Sequence, residues 1–227
     1  MTAPRAVIFD LDDTLYLERR FALSGFAAVA RAVEAEDGWP ARHAFRVLRE
    51  ALLRNERAAA FQHLCASARL PSARVEAWRE IYRTHEPRLR LPVSSRGVLQ
   101  RLRRSWRVGV LTNGCPRIQR GKVAALALEP LVDALVYAHE VGAGKPDGTA
   151  FVAACQALGV PPERAVMAGN DPWADIDGAR RAGLAAIRIR QGLHAEVDAG
   201  CTGPADADVR SITAVPAAAD ALVREYR

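Results

Sequence analysis

The chain has 227 residues, half of them hydrophobic and 26% charged, enough for one large domain or a core domain carrying a smaller one. No stretch approaches the roughly 18 apolar residues of a membrane span and no signal-like segment opens the chain, so a cytoplasmic protein without membrane association is expected. The net charge of +6 is nearly all arginine, because Lys122 and Lys145 are the two lysines, and Cys65, Cys115, Cys155 and Cys201 form no CxxC pair. Scattered arginines without a stacking motif favour a solvated surface over a nucleic-acid or other polyanion partner. Scattered cysteines argue against structural zinc and against a disulfide framework.

The first element is "RAVIF" (5–9), a short β-branched run that suits a fully buried strand. It ends in Asp10, Asp12 and Asp13, whose mutual repulsion requires a compensating charge. From about 21 to 86 the spacing turns helical: Phe45, Leu48 and Leu52 recur with Val47 and Ala51, then Val75, Trp78, Ile81 and Tyr82. Turn signals at 37–40 and 70–72 divide this stretch into three or four helices, with no strand among them. The domains implied are a helical insert over 18–89 and an α/β core over 1–17 and 90–227.

In "RLRRSWR" (101–107) the arginines read as the polar side of a helix carrying Leu99, Leu102 and Trp106 opposite. Strands and helices then alternate: a strand in 107–114, a helix from Pro116, a strand at 134–138 and a helix at 148–159. A strand within 164–171, a helix in 174–183 and a strand at 184–189 continue the series. A loop at 199–207, an edge strand near 208–212 and a helix from Val215 to Tyr226 close it. The fold class is therefore α/β: a doubly wound, mostly parallel Rossmann-like sheet with an α-helical insert, which binds ligands at the carboxyl ends of its strands.

The chemically capable residues fall at those ends: Asp10 and Asp12, Thr112 and Asn113, Lys145 in "GAGKPD", and Asn170, Asp171 and Asp175 in "GNDPWAD". Singly, Thr112 and Asn113 could cap a helix, Asp175 could be a first-turn acid and Lys145 a surface lysine. Their convergence at one edge favours a site. Asp10 and Asp12 flank Leu11, so both carboxylates lean to one face while Leu11 points into the core. A hard cation such as Mg²⁺ offsets their repulsion and, with Lys145 and the Thr112 hydroxyl, makes a cradle for a phosphoryl group. One aspartate there can attack phosphorus, while a second protonates the leaving oxygen and later activates water.

These segments, "DLDDT", "LTNG", "GKPD" and "GNDPWADIDGA", resemble in order and spacing the four motifs of the haloacid dehalogenase-like hydrolase superfamily. The insert lies where its helical-cap branch, subfamily I, places a cap, and would cover the site. The resemblance implies Asp10 as nucleophile, Asp12 as general acid/base, and Asp10 with the Asp12 main-chain oxygen as Mg²⁺ ligands. It implies Thr112, Asn113 and Lys145 as phosphate-binding residues, with Lys145 also orienting Asp10. The fourth motif departs from the family, which places an aspartate directly after the glycine where this chain has Asn170. Either Asn170 or Asp171 is the metal ligand, and Asp175 stands behind the direct ligands in both alignments.

The expected activity is a Mg²⁺-dependent phosphatase acting through an aspartyl-phosphate on a small phosphomonoester, such as a sugar phosphate or nucleotide. A phosphosugar mutase shares all four motifs; a 2-haloacid dehalogenase typically lacks an acid at the Asp12 position; a non-enzymatic polyanion binder needs none of these groups. A small phosphorylated substrate is the expected partner of a monomer or homodimer, without nucleic acid or membrane. Arg19 and Arg20 are expected to be solvent-exposed, Cys115 packed, His139 on a loop surface and Lys122 on a helix surface.

Overall fold

In the computed structural model, which describes residues 5–197 and 204–225, Ala6–Phe9 forms strand β1 with all four side chains buried. Apolar residues on both faces of so short a strand require neighbours on both edges and layers above and below. Parallel partners lie on either side: β2 (Arg107–Thr112) in register Ala6↔Arg107 and β4 (Ala165–Gly169) in register Ala6↔Ala165. Beyond them come β3 (Ala134–Tyr137), β5 (Ala185–Ile189) and β6 (Ala207–Val209), giving a parallel sheet of order 3-2-1-4-5-6. The chain runs outward from β1 to β3, then returns to β4 on the other side of β1. The order reverses there, which makes the ends of β1 and β4 the natural place for a ligand.

The described residues divide into two compact units, Arg19–Leu89 and the combination of Met1–Glu18 with Arg90–Arg227. The first holds α1 (Arg19–Asp37), α2 (Ala41–Leu53), α3 (Ala60–Ala68) and α4 (Arg74–Thr84). Phe26, Val29 and Val33 of α1 pack with Leu48 of α2, Leu64 of α3 and Trp78 of α4 in its own core. An ion pair from Arg74 to Asp37, with Nε–Oδ1 at 3.0 Å, ties the start of α4 to the end of α1. Arg19 and Arg20 are exposed.

The sheet unit adds α5 (Val93–Leu102), α6 (Pro116–Ala125), α7 (Gly148–Leu158), the short α8 (Gly178–Arg181) and α9 (Val215–Glu225). Its core packs Phe151, Ala154, Cys155 and Leu158 of α7 against Ile8, Leu111, Met167 and Ala186 of the sheet. Asp147 caps α7 by accepting from Thr149 N at 2.8 Å, and Gly159 ends it in the left-handed conformation at φ 63°. Among the described residues no helix is long and apolar enough to cross a membrane.

Three local expectations differ from the structure. Helix α5 stops at Leu102, so Trp106 does not share a helix face with Leu99 and Leu102. The ring is buried ahead of β2 instead, with Nε1 donating to Asp220 Oδ1 at 3.3 Å and the Arg5 guanidinium 4.0 Å from its centroid. The edge strand covers 207–209, because Ser211 Oγ accepts from Thr213 N at 3.3 Å and starts a turn over 212–214. The segment expected as one helix over 174–183 is a wide π-type turn, Pro172–Asp177, followed by α8. Cys201, residues 199–203 of the expected loop and Tyr226 lie outside the described residues.

Phe151 is fully buried between α7 and the sheet. Phe151→Ala should destabilise the sheet unit by about 3–5 kcal/mol, read as a lower midpoint in urea denaturation.

Candidate active site

At the end of β1 the three aspartates separate, each to a different partner. Asp10 still belongs to the sheet, its N–H donating to Ala168 O at 3.0 Å, and its side chain is buried. Leu11 points into the core with no exposure. Asp13 adopts φ 55° and spends its carboxylate on main-chain amides, Glu18 N at 2.8 Å and Leu193 N at 3.1 Å. It holds two loops together.

Asp10 Oδ1 lies 2.6 Å from Lys145 Nζ, which is also 2.6 Å from Asp175 Oδ1; the Lys145 side chain is 2% exposed. The second Asp175 oxygen accepts from Asp171 N at 3.0 Å. A Cβ on Gly169 would stand 2.2 Å from Asp175 Oδ2, so the end of β4 has to be glycine for that carboxylate to reach the lysine. Asn113 grips the lysine from behind: Nδ2 donates to Lys145 O and Oδ1 accepts from Lys145 N, both at 2.8 Å.

Two carboxylates share one ammonium in this buried spot. Burial is the largest influence on Asp10 and pushes its carboxyl up to about 7, with Asp175 adding to the rise and Lys145 opposing it. Burial also works against the charge of Lys145, but Asp10 and Asp175 outweigh it and hold the ammonium above its usual range. The excess negative charge is what a bound cation would offset. Among the described residues no three His, Cys, Asp or Glu side chains gather as a metal-binding group. A cation beside Asp10 therefore needs amide and main-chain oxygens as well, and the Asn170 carboxamide and Asp12 carbonyl are oxygens of that kind. Such a set suits a hard divalent ion.

Asp12 has a cage of its own. Its Oδ1 accepts from the Tyr16 hydroxyl at 2.5 Å and from Lys122 Nζ at 2.8 Å. Its Oδ2 accepts from Lys122 Nζ at 2.7 Å and from Gln119 Nε2 at 2.9 Å. Burial and the Asp12 charge push the Tyr16 hydroxyl far above its usual range. Gln119 Nε2 is also 2.5 Å from Thr112 Oγ1, which links the ends of β1 and β2. Lys122 is thus not on a helix surface: Gln119, Lys122 and Val123 form the buried face of α6. What the sequence offered was the i, i+3 spacing of Gln119 and Lys122 just after a strand end, and a lysine in a chain whose other cations, Lys145 apart, are arginines; neither says which side of the helix faces inward. Cys115 is exposed rather than packed, because it sits ahead of α6 at the capping position and caps nothing with its side chain. His139 is exposed.

After β4 the two candidate ligands have different surroundings. Asn170 is buried, its Oδ1 accepting from Thr14 Oγ1 at 3.3 Å and its Nδ2 donating to Gln191 O at 3.4 Å. Asp171 caps the π-type turn, with Oδ1 accepting from Trp173 N and Ala174 N, both at 2.9 Å, and Oδ2 3.5 Å from His194 Nε2. The structure thus joins Asp10, Lys145, Asp175 and Asn113 in one network and Asp12, Thr112, Gln119, Lys122 and Tyr16 in another. Thr14 and Gln191, which bond Asn170, and Tyr16 and Gln119, which bond Asp12, are not among the chemically capable residues of the four sequence motifs. A buried carboxylate beside an ammonium, with a second carboxylate two residues on, can supply a nucleophile and a proton carrier.

A family model described as haloacid dehalogenase-like hydrolase matches residues 4–183. The chain is similar to a phosphoserine phosphatase of Thermus thermophilus, 42% identical over 94 residues that span 41% of this chain and 38% of that protein. It is 30% identical over 206 residues to a glyceraldehyde 3-phosphate phosphatase of Methanopyrus kandleri, covering 86% of this chain and 87% of that one. Among solved structures a 2-haloacid dehalogenase from Pseudomonas syringae aligns with a TM-score of 0.64 at 24% identity, over 99% of this chain and 100% of that one. That last likeness concerns the fold alone.

The raised Asp10 has a consequence for stability. Unfolded, its carboxyl gives up its proton near 4; folded, near 7. Between those values the folded state binds more protons, so this group makes stability fall as pH rises. In metal-free buffer Asp10→Asn should remove that loss, gaining on the order of 1–3 kcal/mol over the parent at pH 8 and little at pH 4. Urea denaturation at the two pH values checks it.

Proposed function

The chain belongs to the haloacid dehalogenase-like hydrolases, and from that premise we propose that it is a Mg²⁺-dependent phosphatase acting on a small phosphomonoester. The observation that carries this reading is Asp12, a second carboxylate held in place two residues beyond the buried Asp10. Displacement of halide from carbon has no need of an acid there, whereas departure of an alkoxide from phosphorus does. The names of the two curated relatives, both phosphatases of small metabolite phosphates, point the same way. The helical unit Arg19–Leu89 is taken as the cap domain of the helical-cap branch.

In the proposed reaction an Asp10 carboxylate oxygen attacks phosphorus, the bond to the leaving oxygen breaks, and that oxygen takes a proton from Asp12. The phosphoryl group is then carried on Asp10. Water attacks the same phosphorus and gives its proton to Asp12 as the bond to Asp10 breaks, which releases phosphate and restores both residues. Lys145 and the Thr112 hydroxyl offset the charge that develops on the phosphoryl oxygens. Asn113 acts through its grip on the Lys145 backbone. Asp10, the Asp12 main-chain oxygen and Asn170 would hold Mg²⁺, which would supply further positive charge against the phosphoryl oxygens. Asp171 is assigned to its turn, because its Oδ1 is already taken by two amides, and Asp175 to holding Lys145.

Purified protein should hydrolyse members of a phosphomonoester panel with Mg²⁺, lose that activity in excess EDTA, and lose it in Asp10→Asn by about 10³-fold or more. Undiminished turnover in EDTA would remove the metal from the mechanism. An inert panel alongside halide release from a 2-haloacid would replace the phosphatase reading altogether. In a Mg²⁺ titration of activity, Asn170→Asp should lower the half-saturating concentration while Asp171→Ala shifts it little. The opposite pattern would move the ligand role to Asp171.

A further inference from the structure

Lys122 is one of two lysines in an arginine-rich chain, and it is buried, its side chain 6% exposed. Removing an ammonium from water costs several kcal/mol unless a partner compensates. The partner here is Asp12, whose own side chain remains 26% exposed. What sets this pair apart from the Arg103–Asp133 and Arg181–Asp177 pairs, whose carboxylates are 27% and 22% exposed, is the cation: it is buried under Asp12, while the arginines there are 39% and 55% exposed.

The pairing also fixes orientation. Lys122 Nζ reaches both Asp12 oxygens, at 2.8 and 2.7 Å, and Gln119 and Tyr16 add one further bond to each oxygen. An aspartate at the end of a strand would otherwise sample several rotamers, and proton transfer requires it within hydrogen-bond reach of the reacting oxygen. Gln119 and Lys122 stand at i and i+3 on the buried face of α6, the helix that follows β2. Gln119 also touches Thr112 at the end of β2. The clamp therefore ties the proton carrier on β1 to the hydroxyl on β2.

We infer that Lys122 and Gln119 are positioning residues that hold Asp12 in register for proton transfer to the leaving oxygen. This rests on the phosphatase reading. It differs from a structural role in one measurable respect, the dependence on the leaving group. The parameter kcat/KM runs through the first phosphoryl transfer, in which an alkoxide needs a proton and p-nitrophenolate does not. Water attack on the aspartyl-phosphate is common to both substrates.

The experiment measures kcat/KM for an alkyl phosphate of the panel and for p-nitrophenyl phosphate, with Mg²⁺, in the parent and in Lys122→Met, with folding checked by thermal melt. The loss on the alkyl ester should exceed that on the aryl ester by about 10–100-fold. Lys122→Arg should recover part of the difference, and in an Asp12→Asn background Lys122→Met should leave the alkyl-to-aryl ratio unchanged. If Lys122→Met does not fold, Gln119→Leu should show the same selectivity at smaller size. Equal losses on the two esters, or none, in a folded variant overturn the clamp and leave the phosphatase reading standing. A parent inert towards both esters overturns the reading and the clamp together.

Discussion

One ammonium holds the Asp10 half of the candidate active site together. Lys145 sits 2.6 Å from Asp10 and 2.6 Å from Asp175, joining the end of β1 to the turn that follows β4. Neighbouring details serve that contact: Asn113 bonds both main-chain polar groups of the lysine, Gly169 leaves room for Asp175, and Asp171 N takes the remaining Asp175 oxygen. A guanidinium is planar and wider, and would not place a single nitrogen between two carboxylates in this way. The second lysine follows the same logic at Asp12. In a chain whose other cations are arginines, the compact ammonium appears where two carboxylate oxygens converge on one point.

Three aspartates in four positions are tolerated because the chain divides them. Asp10 turns to Lys145, Asp12 to Lys122 and Asp13 to two backbone amides. The compensation is not complete at Asp10, where burial outweighs the lysine and leaves the carboxyl raised. That imbalance matches the task proposed for the residue, since a carboxylate fully neutralised by its neighbours is a poor nucleophile and has no call on a cation.

Much of the sheet was legible in the sequence because β1 to β4 are short, largely apolar runs and the order of the runs alternates with helical spacing. The network of Asp10, Lys145 and Asp175 was legible for a topological reason: parallel strands bring their carboxyl ends to one edge whatever their separation along the chain. Lys122 was not, because which side of α6 faces inward depends on how the helix lies on the sheet. Asn113 illustrates a second limit. Its place beside Thr112 was evident, but that its carboxamide would pair with the Lys145 backbone follows from the path of a loop 32 residues away. Trp106 shows a third, since burial of a large ring overrode the helical pattern that Leu99 and Leu102 begin.

The position of β1 has a consequence for how the protein is made. Strand β1 is central, and its two neighbours begin only at Arg107 and Ala165, far later in the chain. Before either exists, the helices of Arg19–Leu89 are complete and can close their own core from contacts local in sequence. The segment carrying Asp10 must wait for a lysine 135 residues downstream, and that lysine for the still later Asp175. The charge cluster therefore cannot form until Asp175 has been translated, when four of the six strands have been made. A chain interrupted before β4 would contain every helix of the inserted unit and an unpaired, apolar β1 edge, a species suited to chaperones rather than to chemistry.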